Sequence, residues 1–205
     1  MTEFTLYIGD KHISSWSMRP WLVLKHTGQP FTERLILLRR PETAKELARL
    51  APAAPKVPAL RHGELLIWDS LAIIEYLNEK LPSARVWPAD PAARAIARAV
   101  SAEMHSSFQT MRNTMSMELR QRLPTPEMTP DLVADIERVT AIWTDCRQSF
   151  GRNGQFLFGA YSAADAMYAP VASRFETYDV PLDGAAKAYA QALLALPAMR
   201  EWRAG

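Results

Sequence analysis

The 205-residue chain has one cysteine, Cys146, which excludes an internal disulfide framework and a CxxC redox pair. No apolar run approaches the ~20 residues needed to span a bilayer, so no membrane association is expected. Neither sign of charge dominates: 24 Lys and Arg against 22 Asp and Glu leave a formal net charge of +2. Nothing in that balance demands a nucleic acid, and none is expected as a partner. The opening residues lack a basic region, an apolar core and a cleavage site, which makes the cytoplasm the expected location. The G-x-S-x-G, P-loop and G-x-G-x-x-G motifs are missing too. The histidines His12, His26, His62 and His105 have no ligand spacing with Cys146, and no metal is expected.

What is present is a globular composition, 48% hydrophobic and 22% charged, apolar enough for a core and too weakly charged for disorder. Residues 1–82 and 88–205 read differently, with the boundary in Pro82-Ser83-Ala84-Arg85-Val86-Trp87-Pro88. Thr5-Leu6-Tyr7-Ile8 is strand-like and ends at Gly9-Asp10. Met18, Trp21, Leu22 and Leu24 mark a helix stopping at Thr27-Gly28, and loose alternation over 31–38 predicts a second strand. Residues 41–50 suit a helix, which Ala51-Pro52-Ala53-Ala54-Pro55 breaks. Residues 57–60 and 64–68 around Arg61-His62-Gly63 predict a hairpin, and Leu71, Ile73, Ile74, Leu77 and Leu81 a helix after it. The expected order is βαβαββα on a four-stranded mixed sheet.

No convincing strand follows Pro88. Residues 91 to about 122 read as one long helix. Leu132, Ile136, Val139, Trp143, Cys146 and Phe150 make the cleanest amphipathic helix, with Cys146 as a core residue on it. Two shorter helices are expected over 162–175 and 185–195, leaving little beyond Trp202 to close over a pocket.

Four local features bear on chemistry, and each also has a plain structural explanation. Ser14-Ser15-Trp16-Ser17-Met18-Arg19-Pro20 precedes or opens the first helix. Proline tolerates only the first helical turn, which places the cap near Ser17 and leaves Ser14 and Ser15 ahead of a helix N-terminus that favours an anion. The same serines suit ordinary capping. Lys56-Val57-Pro58 puts a proline at a strand start, compatible with a cis bond or with a trans proline at an edge. In Asp69-Ser70, Ser70 is a natural N-cap, and the same helix end can also receive a ligand carboxylate. Ser162-Ala163-Ala164-Asp165 resembles a capping box and reads as structural.

Together, the order and spacing of these motifs resemble the cytosolic glutathione transferase superfamily across essentially the whole chain. Lys56-Val57-Pro58-Ala59-Leu60 is similar to its KVPxL signature, whose proline is cis. Asp69-Ser70-Leu71-Ala72-Ile73-Ile74-Glu75-Tyr76-Leu77 is similar to its [ED]-S-x-A-I-x-x-Y-L signature. Gln155-Phe156-Leu157-Phe158-Gly159, with Ser162 to Asp165 and Pro170, resembles the folding motif of its second domain. Ser14 to Arg19 is similar to the SSCxxR motif of the zeta class, the class of maleylacetoacetate isomerases, with Trp16 where those isomerases carry cysteine.

The resemblance implies a thioredoxin-like domain followed by an all-helical domain, a homodimer, and glutathione as co-substrate. It implies Ser70 on the γ-glutamyl carboxylate, Asp69 on the ammonium, Val57 with Pro58 on the cysteinyl amide, and Lys56 near the glycyl end. Ser14 and Ser15 stand equal as the hydroxyl that stabilises the thiolate, a donor and not a nucleophile. Tyr7 lies within the first strand and is not expected in that role. Trp16, Met104, His105, Phe108 and Arg112 are the expected wall for a small, largely apolar electrophile, with domain packing as the alternative for the residues after Pro88. A transferase is the leading expectation. A glutathione-dependent isomerase or peroxidase, and a non-catalytic glutathione-binding module, are the alternatives.

Overall fold

The computed structural model describes residues 3–50 and 55–205, so most of the proline-rich breaker, residues 51–54, lies outside the described part. The order is β1 (Phe4–Ile8), α1 (Ser15–Thr27), β2 (Phe31–Leu35), α2 (Thr43–Leu50), β3 (Ala59–His62), β4 (Leu65–Trp68) and α3 (Ser70–Lys80). The sheet order is β2-β1-β3-β4, with β1 parallel to β2 and antiparallel to β3. This is the βαβαββα arrangement the sequence predicts. Phe4, Leu6 and Ile8 alternate inward along β1 and join Met18, Trp21 and Leu22 of α1 and Ile73, Ile74 and Leu77 of α3 in the core. Tyr7 points to the opposite face, beside Arg34 and Arg61.

A 3-10 turn at Pro82–Ala84 leads into α4 (Pro91–Ser106), α5 (Gln109–Thr114), α6 (Pro130–Phe150), α7 (Ala163–Thr177), α8 (Gly184–Leu194) and α9 (Pro197–Ala204). Nearly every residue of α7 is buried, because it packs between α1 on one side and α4 and α8 on the other. Ala163, Ala164, Ala166, Ala169 and Ala172 permit that close approach on several faces. Its start is the expected capping box: Asp165 Oδ2 accepts from the Ser162 backbone N–H at 2.8 Å and its hydroxyl at 3.2 Å. Along α6, Leu132, Ile136, Val139, Trp143 and Cys146 are buried as their spacing predicts. Burial also pushes the Cys146 thiol up to about 11, consistent with an inert core residue.

Several elements differ from expectation, among them β2, which ends at Leu35 and does not reach residue 38. The first helix starts at Ser15, with Ser14 and not Ser17 in the N-cap position, and Pro20 lies inside it. Asp10 carbonyl bonds to the N–H groups of Ile13 and Ser14 feed the chain into that helix, while the Ser17 hydroxyl reaches back to accept from the Gly9 N–H at 3.0 Å. The hairpin turn falls after His62, which pairs with Leu65, and Gly63 adopts φ 62° there.

The long helix over 91 to about 122 is not formed: α4 ends at Ser106 and Phe108 takes a left-handed φ of 67°. Arg112 turns back and donates to the carbonyls of Ser107, at 2.9 Å, and Met104. Asp135 of α6 accepts the Met111 N–H at 2.9 Å. These contacts, from Arg112 within the segment and Asp135 beyond it, satisfy groups a break exposes. Finally, α9 is an additional helix. Trp202 is fully buried against Trp21 and donates to the Lys11 carbonyl at 2.7 Å.

Candidate functional site

A cavity of about 600 Å³ opens between the starts of α1 and α3. Lys56, Val57, Pro58, Asp69 and Ser70 line it, and from α1 Trp16 does, whereas Ser14 and Ser15 are buried and do not. Pro55 and Trp68 line it as well, and Trp68 is 45% exposed. The Val57–Pro58 bond is cis. Val57 lies two residues ahead of β3, outside the pairing of the sheet.

At α3 the cap is Asp69 and not Ser70. Asp69 Oδ1 accepts from the N–H groups of Leu71 and Ala72 at 2.9 and 3.1 Å, while its φ of 76° is the conformation a non-glycine residue rarely takes. Asp69 Oδ2 lies 3.0 Å from His105 Nε2. Because Asp69 does the capping, the Ser70 hydroxyl is buried at the helix start with no partner. A buried orphan hydroxyl in a cavity wall is an unmet hydrogen bond waiting for a ligand.

At α1, the two serines are both buried and differently engaged. Ser14 Oγ donates to Ser17 Oγ at 2.7 Å. Ser15 Oγ accepts from Arg174 Nη2 of α7 at 3.3 Å. Trp16 is held between the guanidinium groups of Arg19 and Arg112, 4.3 and 4.8 Å from its ring centre, with His105 edge-on at 5.2 Å. Arg19 is fully buried, Nε donating to the Met167 carbonyl at 3.2 Å and both terminal nitrogens lacking partners. Burial, with Arg112 and Arg174 nearby, pulls its pKa well down. Burial first, and Arg112 second, bring Arg174 down to about 10. Among the described residues no carboxylate forms an ion pair with any of these three arginines.

The expected electrophile wall is only partly assembled. Met104 and Phe108 are 0% and 5% exposed and belong to the core, because the break after Ser106 takes Phe108 off the helix face that carries Met104. His105 and Arg112 remain beside Trp16. Arg19 stood within the predicted motif without a role, and Trp68 stood next to Asp69. Nothing in the local sequence around Arg174 marks it. No group of His, Cys, Asp and Glu suited to a metal ion occurs among the described residues.

Residues 13–80 match the family model of the glutathione S-transferase N-terminal domain. The match covers that segment alone, and over its full length the chain shares the fold of solved glutathione transferases. Over 114 residues it is 37% identical to a probable maleylacetoacetate isomerase of Caenorhabditis elegans, covering 56% of this chain and 52% of that one. The chain spans about half the length of the curated relatives it matches first. Among solved structures, a maleyl pyruvate isomerase described as a bacterial zeta-class glutathione S-transferase aligns with a TM-score of 0.74 at 22% identity, over 97% of this chain and 95% of that one. A glutathione transferase homolog from Burkholderia gl BGR1, with bound glutathione, aligns with a TM-score of 0.71 at 24% identity, over 98% and 95%. At such identities the likeness establishes the fold.

Proposed function

We propose that the protein binds glutathione in the cavity between α1 and α3 and activates its thiol for attack on an electrophile, as a glutathione S-transferase. The observation that carries this reading is the buried, unpartnered Ser70 hydroxyl at the start of α3, beside Asp69 and the cis Val57–Pro58 bond. In this reading Ser70 and the α3 N-terminus receive the γ-glutamyl carboxylate, and Asp69 Oδ2 receives the ammonium. The Val57 backbone takes the cysteinyl amide as an added strand would, and Lys56 approaches the glycyl carboxylate.

The thiol, at a free pKa of roughly 8.5, ionises when a serine hydroxyl and the α1 N-terminus stabilise the thiolate. Its proton leaves to solvent, and the sulfur attacks an electrophilic carbon. Trp16, His105 and Arg112 border the acceptor. A second reading, a glutathione-dependent isomerase of an acidic substrate, is favoured by the buried Arg19 and half-buried Arg112 around Trp16, which have no carboxylate ion pair among the described residues.

Product accounting separates the readings. Conjugation consumes glutathione and isomerisation returns it, while peroxidase action yields its disulfide. A protein that neither melts higher with glutathione nor turns it over with any acceptor contradicts both. Division into units at 82–88, a cytoplasmic location and a homodimer complete the proposal; a scattering mass equal to the 23.1 kDa chain overturns the dimer.

A further inference from the structure

The face of the sheet turned away from α1 and α3 carries a second cavity, of about 450 Å³. It shares no lining residue with the cavity at Trp16, Val57 and Ser70. Strand alternation puts Thr5 and Tyr7 on this face, opposite to Phe4, Leu6 and Ile8. The register then fixes their neighbours. Arg34 of β2 lies beside Tyr7, and Arg61 of β3 lies beside Thr5, diagonal to Tyr7. Arg49 comes from α2, where it shares a helical face with Glu46 and Leu50. Three elements thus bring guanidinium groups around one phenol.

Among the described residues none of these three arginines forms an ion pair. The described lining sets the three guanidiniums against one carboxylate, Glu46. The excess is local: residues 33–61 hold seven Lys and Arg against three Asp and Glu, whereas the whole chain holds 24 against 22. Cations gathered in a concave site repel one another and focus their field, so an anion placed among them is stabilised. A phosphate fits that arrangement. It gathers up to two negative charges and three terminal oxygens on one centre, and guanidinium forks bind it bidentately. A dicarboxylate divides its charge between two ends, and here the cations surround a single ring. Ile36, buried, and Leu50, half-buried, add an apolar wall that suits the body of an ester. The volume is that of a small-molecule site.

We propose that this cavity is a second ligand site, which binds the phosphate group of a small molecule, free or as a monoester with an apolar body. Arg34, Arg49 and Arg61 hold the phosphate oxygens, and the Tyr7 hydroxyl is a further donor. The binding is non-covalent and goes beyond the glutathione reading, since the two cavities lie on opposite faces of the sheet.

The test is calorimetric titration of the native chain with phenyl phosphate, inorganic phosphate and succinate, in a phosphate-free buffer of low ionic strength. Phenyl phosphate should bind saturably, and added salt should weaken it. Arg34→Gln, Arg49→Gln and Arg61→Gln should each lower the affinity about tenfold or more, the worth of a charge-assisted hydrogen bond. Arg40→Gln and Lys45→Gln, exposed and outside the lining, should leave it nearly unchanged. Tighter binding of phenyl phosphate than of inorganic phosphate supports the site and makes its ligand an ester; equal binding supports it and makes the ligand the free ion. Arg61 is half-buried, so if Arg61→Gln fails to fold, the exposed Arg34 and Arg49 decide the matter. The proposal is overturned if neither phosphate binds saturably, if succinate binds as tightly, or if the variants outside the lining lose as much as those within it. Displacement of phenyl phosphate by glutathione overturns it too, for that would put the anion in the other cavity.

Discussion

The starts of α1 and α3 face one cavity, and both carry serine, yet they are completed from different places. At α3 the cap is local, with Asp69 accepting from Leu71 and Ala72 and Ser70, next in the chain, unpartnered among the described residues, and only the His105 contact to Asp69 comes from the helical part. At α1 the local residues are tied to β1 through Gly9, and the polar environment of Ser15 and Trp16 comes from Arg174 of α7 and Arg112 of α5. The comparison teaches that the cap at one end of the site is a property of the sheet-bearing part alone. The other exists only when the helical part is docked.

The strongest way to break that contrast is to loosen the docking. Trp202→Ala removes a fully buried indole packed on Trp21 and its bond to the Lys11 carbonyl, ahead of α1. Denaturant unfolding should show a loss of about 3–5 kcal/mol, the cost of deleting a large buried aromatic.

The start of α7 sharpens the contrast because it is buried away from the cavity. Burial raises Asp165 from 3.8 to about 6 despite the hydrogen bonds it accepts from Leu157 and Ser162. Its folded pKa lies above the unfolded one, so the stability linked to its protonated form is complete below about pH 4 and lost as pH rises through about 6. Melting temperature followed across that window should fall with pH on this account, and Asp165→Asn should flatten the slope.

A smaller effect tests the cap at α3. Asp69→Ala should lower stability by about 1 kcal/mol, the usual cost of losing an N-cap, while Asp69→Asn should cost little because asparagine caps as well. The His105 contact is half exposed and adds little to either. Thermal unfolding of the two variants separates capping from charge.

How much of this was legible in the sequence follows the same division. The strands, α1 and α3 were readable because Phe4, Leu6 and Ile8, or Ile73, Ile74 and Leu77, repeat with the period of their own element. The cavity residues of α3 were readable because Asp69 and Ser70 are adjacent. The break at Phe108 was not, since a non-glycine left-handed residue there is held by Arg112 and by Asp135, 24 positions from its partner Met111. Arg174 was illegible for the same reason: its contact with Ser15 spans 159 positions and leaves no local signal on α7. The first cap lies three residues earlier than Pro20 alone predicts, since the helix accommodates this proline inside it.

The most direct test of the account is calorimetric titration of glutathione into the native chain and into Ser70→Ala. The Ser70 hydroxyl has no partner among the described residues, so its removal should leave the melting temperature in place. Affinity for glutathione should fall by about 10- to 100-fold, the worth of one hydrogen bond to a carboxylate. Unchanged affinity together with a lower melting temperature would contradict the account, for it would make Ser70 a structural residue and leave the cavity at α3 without its anchor.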